Sequence, residues 1–189
     1  MSFFDDLKKK IDNVANSSFG RKSESFVFDD IPTTIDAFKA LPQADLKNPA
    51  AVVALTVIAL NVYPADKDAA VEMLNYLRGP APLSNIDKQF IRDRFSDNKL
   101  YVPRSYFNGA TPDNDYSPVP PFTIEVNATP HTCDNEKDGR LTYYVRSGGA
   151  DSPRPVTVRN KPSTNEWFVT EYSSLLLDIR VPKSSDPWS

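Results

Sequence analysis

The sequence predicts an α+β fold in which a block of helices packs on an antiparallel sheet, and three observations carry that expectation. Apolar residues recur at helical spacing as far as about residue 95, and they alternate at strand spacing from about residue 122. Most of the 17 prolines fall after residue 100, against only six glycines in the whole chain. Proline has no amide hydrogen to give to a ladder and a fixed φ, so this bias assigns the second half to stiff loops and strand edges rather than helices. A chain of 189 residues, 40% hydrophobic and 25% charged, is long enough to bury a substantial core.

Phe3, Phe4, Leu7, Ile11 and Val14 lie at helical spacing among charged residues, which predicts a short amphipathic helix over residues 3–15. The polar stretch Ser17–Ser25 follows, so residues 1–25 read as a tethered helix and linker, and residues 26–189 as a single α+β domain. Phe26-Val27-Phe28 is a short strand candidate. Thr33 is positioned to cap a helix over Thr34–Leu41, which Pro42 ends. Asn48 caps a second helix with Pro49 in its first turn, and Pro49–Tyr63 is apolar on nearly every face, as in a helix buried all round.

A third helix opens at Asp66 or Asp68 and leaves through Gly79-Pro80. The fourth runs from Ser84, with Asp87 three residues on, to about Phe95, and Ile86, Phe90 and Ile91 are its expected inward residues. Beyond the Asn108–Pro121 loop, strands are predicted at 122–126, 141–146, 155–159 and 167–170, with Ile179–Val181 as a final strand or edge. Short strands joined by short loops make an antiparallel meander.

Composition excludes several classes of function. A net charge of −3 and no basic stripe leave nothing to neutralise phosphates, so no nucleic-acid partner is expected. The apolar run Ala50–Leu60 is far short of the roughly 20 residues that cross a bilayer, so no transmembrane segment is expected. One cysteine forms no internal disulfide, and no leader-like apolar stretch opens the chain, which together point to a cytoplasmic location. Three acidic and three basic side chains cancel within Phe3–Val14, so contact of that helix with a membrane surface would be weak.

The densest turn chemistry lies between Arg146 and Arg154. Gly148 and Gly149 allow backbone amides to form an anion-binding nest, which Arg146, Arg154 or Arg159 would reinforce with charge, so Arg146, Gly148, Gly149, Asp151 and Arg154 are the candidate ligand-binding residues. The competing reading is a structural corner, with the glycines supplying positive φ and Asp151 pairing with the backbone or an arginine. It ranks first, because these glycines follow a strand without opening a helix.

Other motifs are weaker. Asp134-Asn135-Glu136-Lys137-Asp138-Gly139 begins like a calcium loop, but Val145 stands where the bidentate glutamate belongs, so an acidic loop tip is expected. His131 and Cys133 are two apart, with too few partners for zinc and no converging segment for a dyad. The serines at 147, 152, 173 and 174 lack a nucleophile elbow, and Asp29, Asp30, Asp93 and Glu125 are scattered. Tyr143, Tyr144, Trp167 and Tyr172 fit the core face of a sheet better than a pocket wall. No catalytic residue, metal site or cofactor is expected.

Leu74-Asn75-Tyr76-Leu77-Arg78-Gly79-Pro80 with Leu83-Ser84, Tyr101–Phe107 leading to Gly109–Pro112, Ser147–Pro155, and Asp178–Pro182 with Asp186-Pro187-Trp188 together resemble a family of uncharacterised bacterial proteins, mainly from Gram-positive and anaerobic lineages. The resemblance implies no activity, cofactor or catalytic residue. The leading functional expectation is a non-enzymatic cytoplasmic binding or scaffolding domain that acts through protein partners or self-association, with the Phe3–Val14 helix as the docking element. The alternative is a small-molecule or anion-binding domain, with or without catalysis, that uses the Arg146–Arg154 loop.

Overall fold

The computed structural model describes residues 22–188, and the helix expected over residues 3–15 lies outside them. The order of elements is a strand β1 (Glu24–Phe28), helices α1 (Ile35–Lys39), α2 (Pro49–Val62), α3 (Lys67–Arg78) and α4 (Asn85–Arg94), and then strands β2 (Phe122–Asn127), β3 (Arg140–Val145), β4 (Arg154–Lys161) and β5 (Glu166–Glu171). The strands form one antiparallel sheet in the order β1-β2-β3-β4-β5. The fold is therefore α+β, with one strand contributed from before the helical block.

Hydrophobicity on every face of α2 places it at the centre. All of its residues are buried except the half-buried Asn61, which satisfies its amide on the carbonyls of Val57 and Pro103, both at 2.9 Å. Its start is fixed as the sequence predicts: Asn48 Oδ1 accepts from the amides of Ala50 and Ala51 at 2.9 and 3.3 Å. Asn48 Nδ2 also donates to Glu24 at 2.8 Å, tying the helix start to the edge strand β1.

Strand alternation supplies the other wall of the core. Phe26 and Phe28, Ile124 and Val126, Leu141 and Tyr143, Val156 and Val158, and Trp167 and Val169 are all buried, as period-2 side chains on one sheet face must be. Each aliphatic side chain buried this way stabilises the fold by about 1.5–3 kcal/mol relative to exposure. The opposite face is more polar, with Thr142 and Thr157 hydrogen-bonded across strands at 2.9 Å.

The helix ends are set by side chains close in sequence. Thr34, one residue later than expected, caps α1 by accepting from the Ala37 amide at 3.2 Å. Asp66 opens α3 by accepting from Asp68 and Ala69. Ser84 and Asp87 form a reciprocal capping box on α4. Gly79 ends α3 with φ +53°, and a Cβ there would lie 2.2 Å from the Phe168 ring, so both conformation and space demand glycine.

Two expectations are corrected. Ile86 does not face inward: it is 82% exposed, whereas Ile91 is 1% exposed. Five residues at about 100° each put these side chains some 140° apart round the helix, so they cannot share a face. Ile179–Val181 is not a strand. Its neighbourhood is held instead by side-chain donors, described next.

Candidate functional site

The Arg146–Arg154 stretch joins β3 to β4, and its backbone is already engaged. The Gly148 amide donates to the Ser105 carbonyl at 2.9 Å, and the Gly149 amide donates to Ser147 Oγ at 3.1 Å. Ser147 Oγ in turn donates to Ser105 Oγ at 2.7 Å. The amides that a nest would aim at an anion thus point at the protein's own oxygens.

The glycines serve close approach rather than an unusual φ, since neither lies in the left-handed region. A Cβ on Gly148 would stand 1.8 Å from the Ala110 carbonyl oxygen, and one on Gly149 would stand 2.0 Å from the Tyr116 hydroxyl. Ile179, in the last segment of the fold, would also lie within 2.8 Å of a Cβ on Gly149. Arg180 donates its amide to the Gly149 carbonyl at 2.9 Å. Arg154 Nη2 donates to the carbonyls of Leu177 and Asp178 at 3.2 and 3.0 Å. Tyr106 and Tyr116 donate their hydroxyls to the carbonyls of Leu175 and Arg180 at 2.9 and 2.8 Å, and Tyr101 reaches the Ile179 carbonyl at a long 3.5 Å.

These donors explain why residues 177–181 run as an irregular strap. Backbone carbonyls that would otherwise require a ladder find partners in side chains. Burial pushes the Tyr106 hydroxyl well above its ordinary range, against the nearby Arg154 charge. Tyr116 is pushed up to about 12, first by burial and then by its neighbour Tyr101, whose ring stacks on it with centroids 5.4 Å apart. Both tyrosines therefore remain protonated donors at neutral pH. Asp151 pairs with Arg180, as the corner reading expects of it, but both side chains are largely exposed, and such a pair contributes little. Arg146 is exposed. Of the five candidate residues, the structure gathers Gly148, Gly149, Asp151 and Arg154 round the strap.

The acidic loop tip Glu136–Asp138 is a turn of 3₁₀ helix closed by Gly139 at φ +68°. His131 Nδ1 lies 3.0 Å from Asp134, while Cys133 packs half-buried against the core. Among the described residues, no group of three or more His, Cys, Asp or Glu side chains is placed to hold a metal ion. None of the described helices is long and apolar enough to cross a membrane.

The candidate site that sequence reasoning missed is a cleft of about 290 Å³ where α4 meets β5. One wall is Ile86 and Phe90, four residues apart and so adjacent on the helix; Phe90 is half-buried, and Arg94 lies over its ring, 5.0 Å from the centroid. The other wall is Thr170, Glu171 and Tyr172. At the floor, the largely buried Arg78 donates Nε to the Ala81 carbonyl at 2.8 Å and approaches Asp87 to 4.0 Å. The Ser84 hydroxyl and amide, both bonded to Asp87, hold its carboxyl below the ordinary carboxylate range despite its partial burial, and Arg78 adds to the effect. Tyr172 is raised by burial, with Arg78 opposing. The only sequence signal for this cleft was the angular spacing of Ile86 and Ile91.

The arrangement offers an exposed aliphatic and aromatic wall beside a polar rim of both charge signs. No curated protein and no solved structure matches the chain. A family model, described as a domain of unknown function (DUF6935), matches residues 30–183. That span takes in the helical block, the four later strands, the strap and the cleft, and the chain belongs to this family.

Proposed function

We propose that the chain is a non-enzymatic cytoplasmic binding domain that acts through a protein partner, another copy of the chain included, and that the partner seats an apolar side chain in the cleft between α4 and β5. The observation that carries this reading is Ile86, 82% exposed directly beside the half-buried Phe90 on the wall of a cleft. An apolar pair rimmed by Asp87, Glu171 and Arg94 has the make-up of an interface core with its polar rim. The single cysteine supports the compartment.

The test is a photo-crosslinking amino acid placed at position 86 in cells that express the protein, with position 159 on the open sheet face as the control. A discrete protein adduct from 86, absent from 159, is the expected outcome. An adduct pattern that is the same at both positions, or none at 86, sinks the proposal.

A further inference from the structure

β3 and β4 place two arginines side by side on the open face of the sheet. Arg140 stands directly opposite Arg159 in the register, and both are exposed. The Arg140 amide donates to the Asn135 carbonyl at 3.1 Å rather than across the ladder, and the Asn160 amide donates to the Gly139 carbonyl at 2.8 Å. Arg140 and Arg159 are therefore a non-hydrogen-bonded pair, the closer of the two antiparallel kinds, with Cα atoms about 4.5 Å apart. Like charges in that position destabilise a sheet unless something offsets them.

No described side chain does so. Among the described residues, neither arginine side chain makes an ion pair. Lys161, next on the same face of β4, stands opposite Glu166, a pair of opposite sign. Glu136, Lys137 and Asp138 lie in the turn before β3, and no ion pair joins Glu136 or Asp138 to either arginine. Beside the arginines on the same face, roughly 7 Å along the strands, stand the half-buried Thr142 and Thr157. Their hydroxyls are 2.9 Å apart and bonded to each other. Two hydroxyls carry two hydrogens and the mutual bond uses one, so the pair keeps a donor for an outside oxygen.

We infer that Arg140, Arg159 and the Thr142–Thr157 pair bind a phosphate dianion, as the free ion or as the terminal group of a small phosphate monoester. Two guanidiniums match its charge and offer N–H donors to its oxygens, and the threonine hydroxyl supplies one more. The bound anion replaces repulsion between the arginines with attraction to a shared partner. Two charges neutralise one phosphate group, so this site adds no nucleic-acid partner.

The test titrates the full chain, at constant ionic strength in chloride, with inorganic phosphate and separately with phenyl phosphate, and follows the arginine Nε–Hε resonances. Those of Arg140 and Arg159 should shift together and saturate, and Arg140→Gln or Arg159→Gln should each weaken binding about tenfold or more. Tighter binding of phenyl phosphate makes a monoester the occupant, and equal binding places the recognition in the dianion itself. Shifts that never saturate, or that persist unweakened in the variants, mean an adventitious ion only and overturn the proposal. Thermal melts give an independent readout. Without phosphate, Arg159→Gln should melt at or above wild type, because it removes the repulsion. Saturating phosphate should put wild type above the variant, since a ligand that binds the folded state raises its melting point. A difference between the two proteins that phosphate leaves unchanged also overturns the site.

Discussion

At the scale of single residues, Gly148, Gly149 and Arg154 matter for what they let come near. Gly148→Ala drives a methyl into a backbone carbonyl, which cannot step aside, and Gly149→Ala drives one into the Tyr116 hydroxyl and the Ile179 side chain. Each should destabilise the protein by about 1–3 kcal/mol, as overpacking does, with Gly148→Ala the more costly of the two; urea unfolding measures it. Tyr116→Phe removes only the hydroxyl bonded to the Arg180 carbonyl. It should cost about 1 kcal/mol and raise amide hydrogen exchange at residues 179–181 by more than the global loss of stability raises it in α2. If exchange there is unchanged, the tyrosine does not hold the strap. The sequence marked this loop as special by its glycines and arginines, but the tyrosines that meet it come from residues 101–116, and no local pattern announces such a distant contact.

At the scale of elements, caps and period did most of the work. Asn48, Asp66 and Ser84 lie where short-range hydrogen bonding to the first helical amides requires them, so two helix starts were legible without any tertiary information and a third was narrowed to Asp66 or Asp68. The Ser84–Asp87 box also makes a pH prediction. Because Asp87 titrates lower in the folded protein than its ordinary value of about 4, its contribution is fully present above that value and is lost as pH falls through the lower folded one. Ser84→Ala should therefore cost about 1 kcal/mol at pH 7, and the gap to wild type in thermal melts should narrow below about pH 4. A gap that stays constant to pH 2.5 would show that the carboxylate takes no part. Ile86 is the failure at this scale: three apolar residues in one short helix looked like one face, but five-residue spacing divides them.

At the scale of the whole molecule, the sheet closes on a strand that arrives before all the helices. β1 pairs along its full length with β2, nearly a hundred residues later. The hydrophobic alternation of Phe26 and Phe28 identified a strand but not its partner, since pairing across the helical block depends on where α2 lays the two edges. The boundary near residue 25 is a proposal that proteolysis checks. Trypsin should cut first at Arg21 or Lys22 and leave a resistant fragment with the melting point of the intact domain; an earlier cut in the loop at Arg146 would show that the strap does not protect it. Ile86→Asp should alter unfolding free energy by no more than about 0.5 kcal/mol, because an exposed side chain has little to lose; a larger loss would make Ile86 part of the core rather than of a contact surface.

The sequence by itself determined the fold class, the buried character of α2, the starts of α2 and α4 and the strand faces, because each follows from periodicity or from hydrogen bonds a few residues long. Only the tertiary structure decided what Ser147–Pro155 touches and where the exposed apolar surface lies. Whether an amide faces an anion or the Ser105 carbonyl, and whether an isoleucine meets the core or solvent, depends on which distant segment arrives beside it. That information is held in the packing of the whole chain and in no local stretch of it.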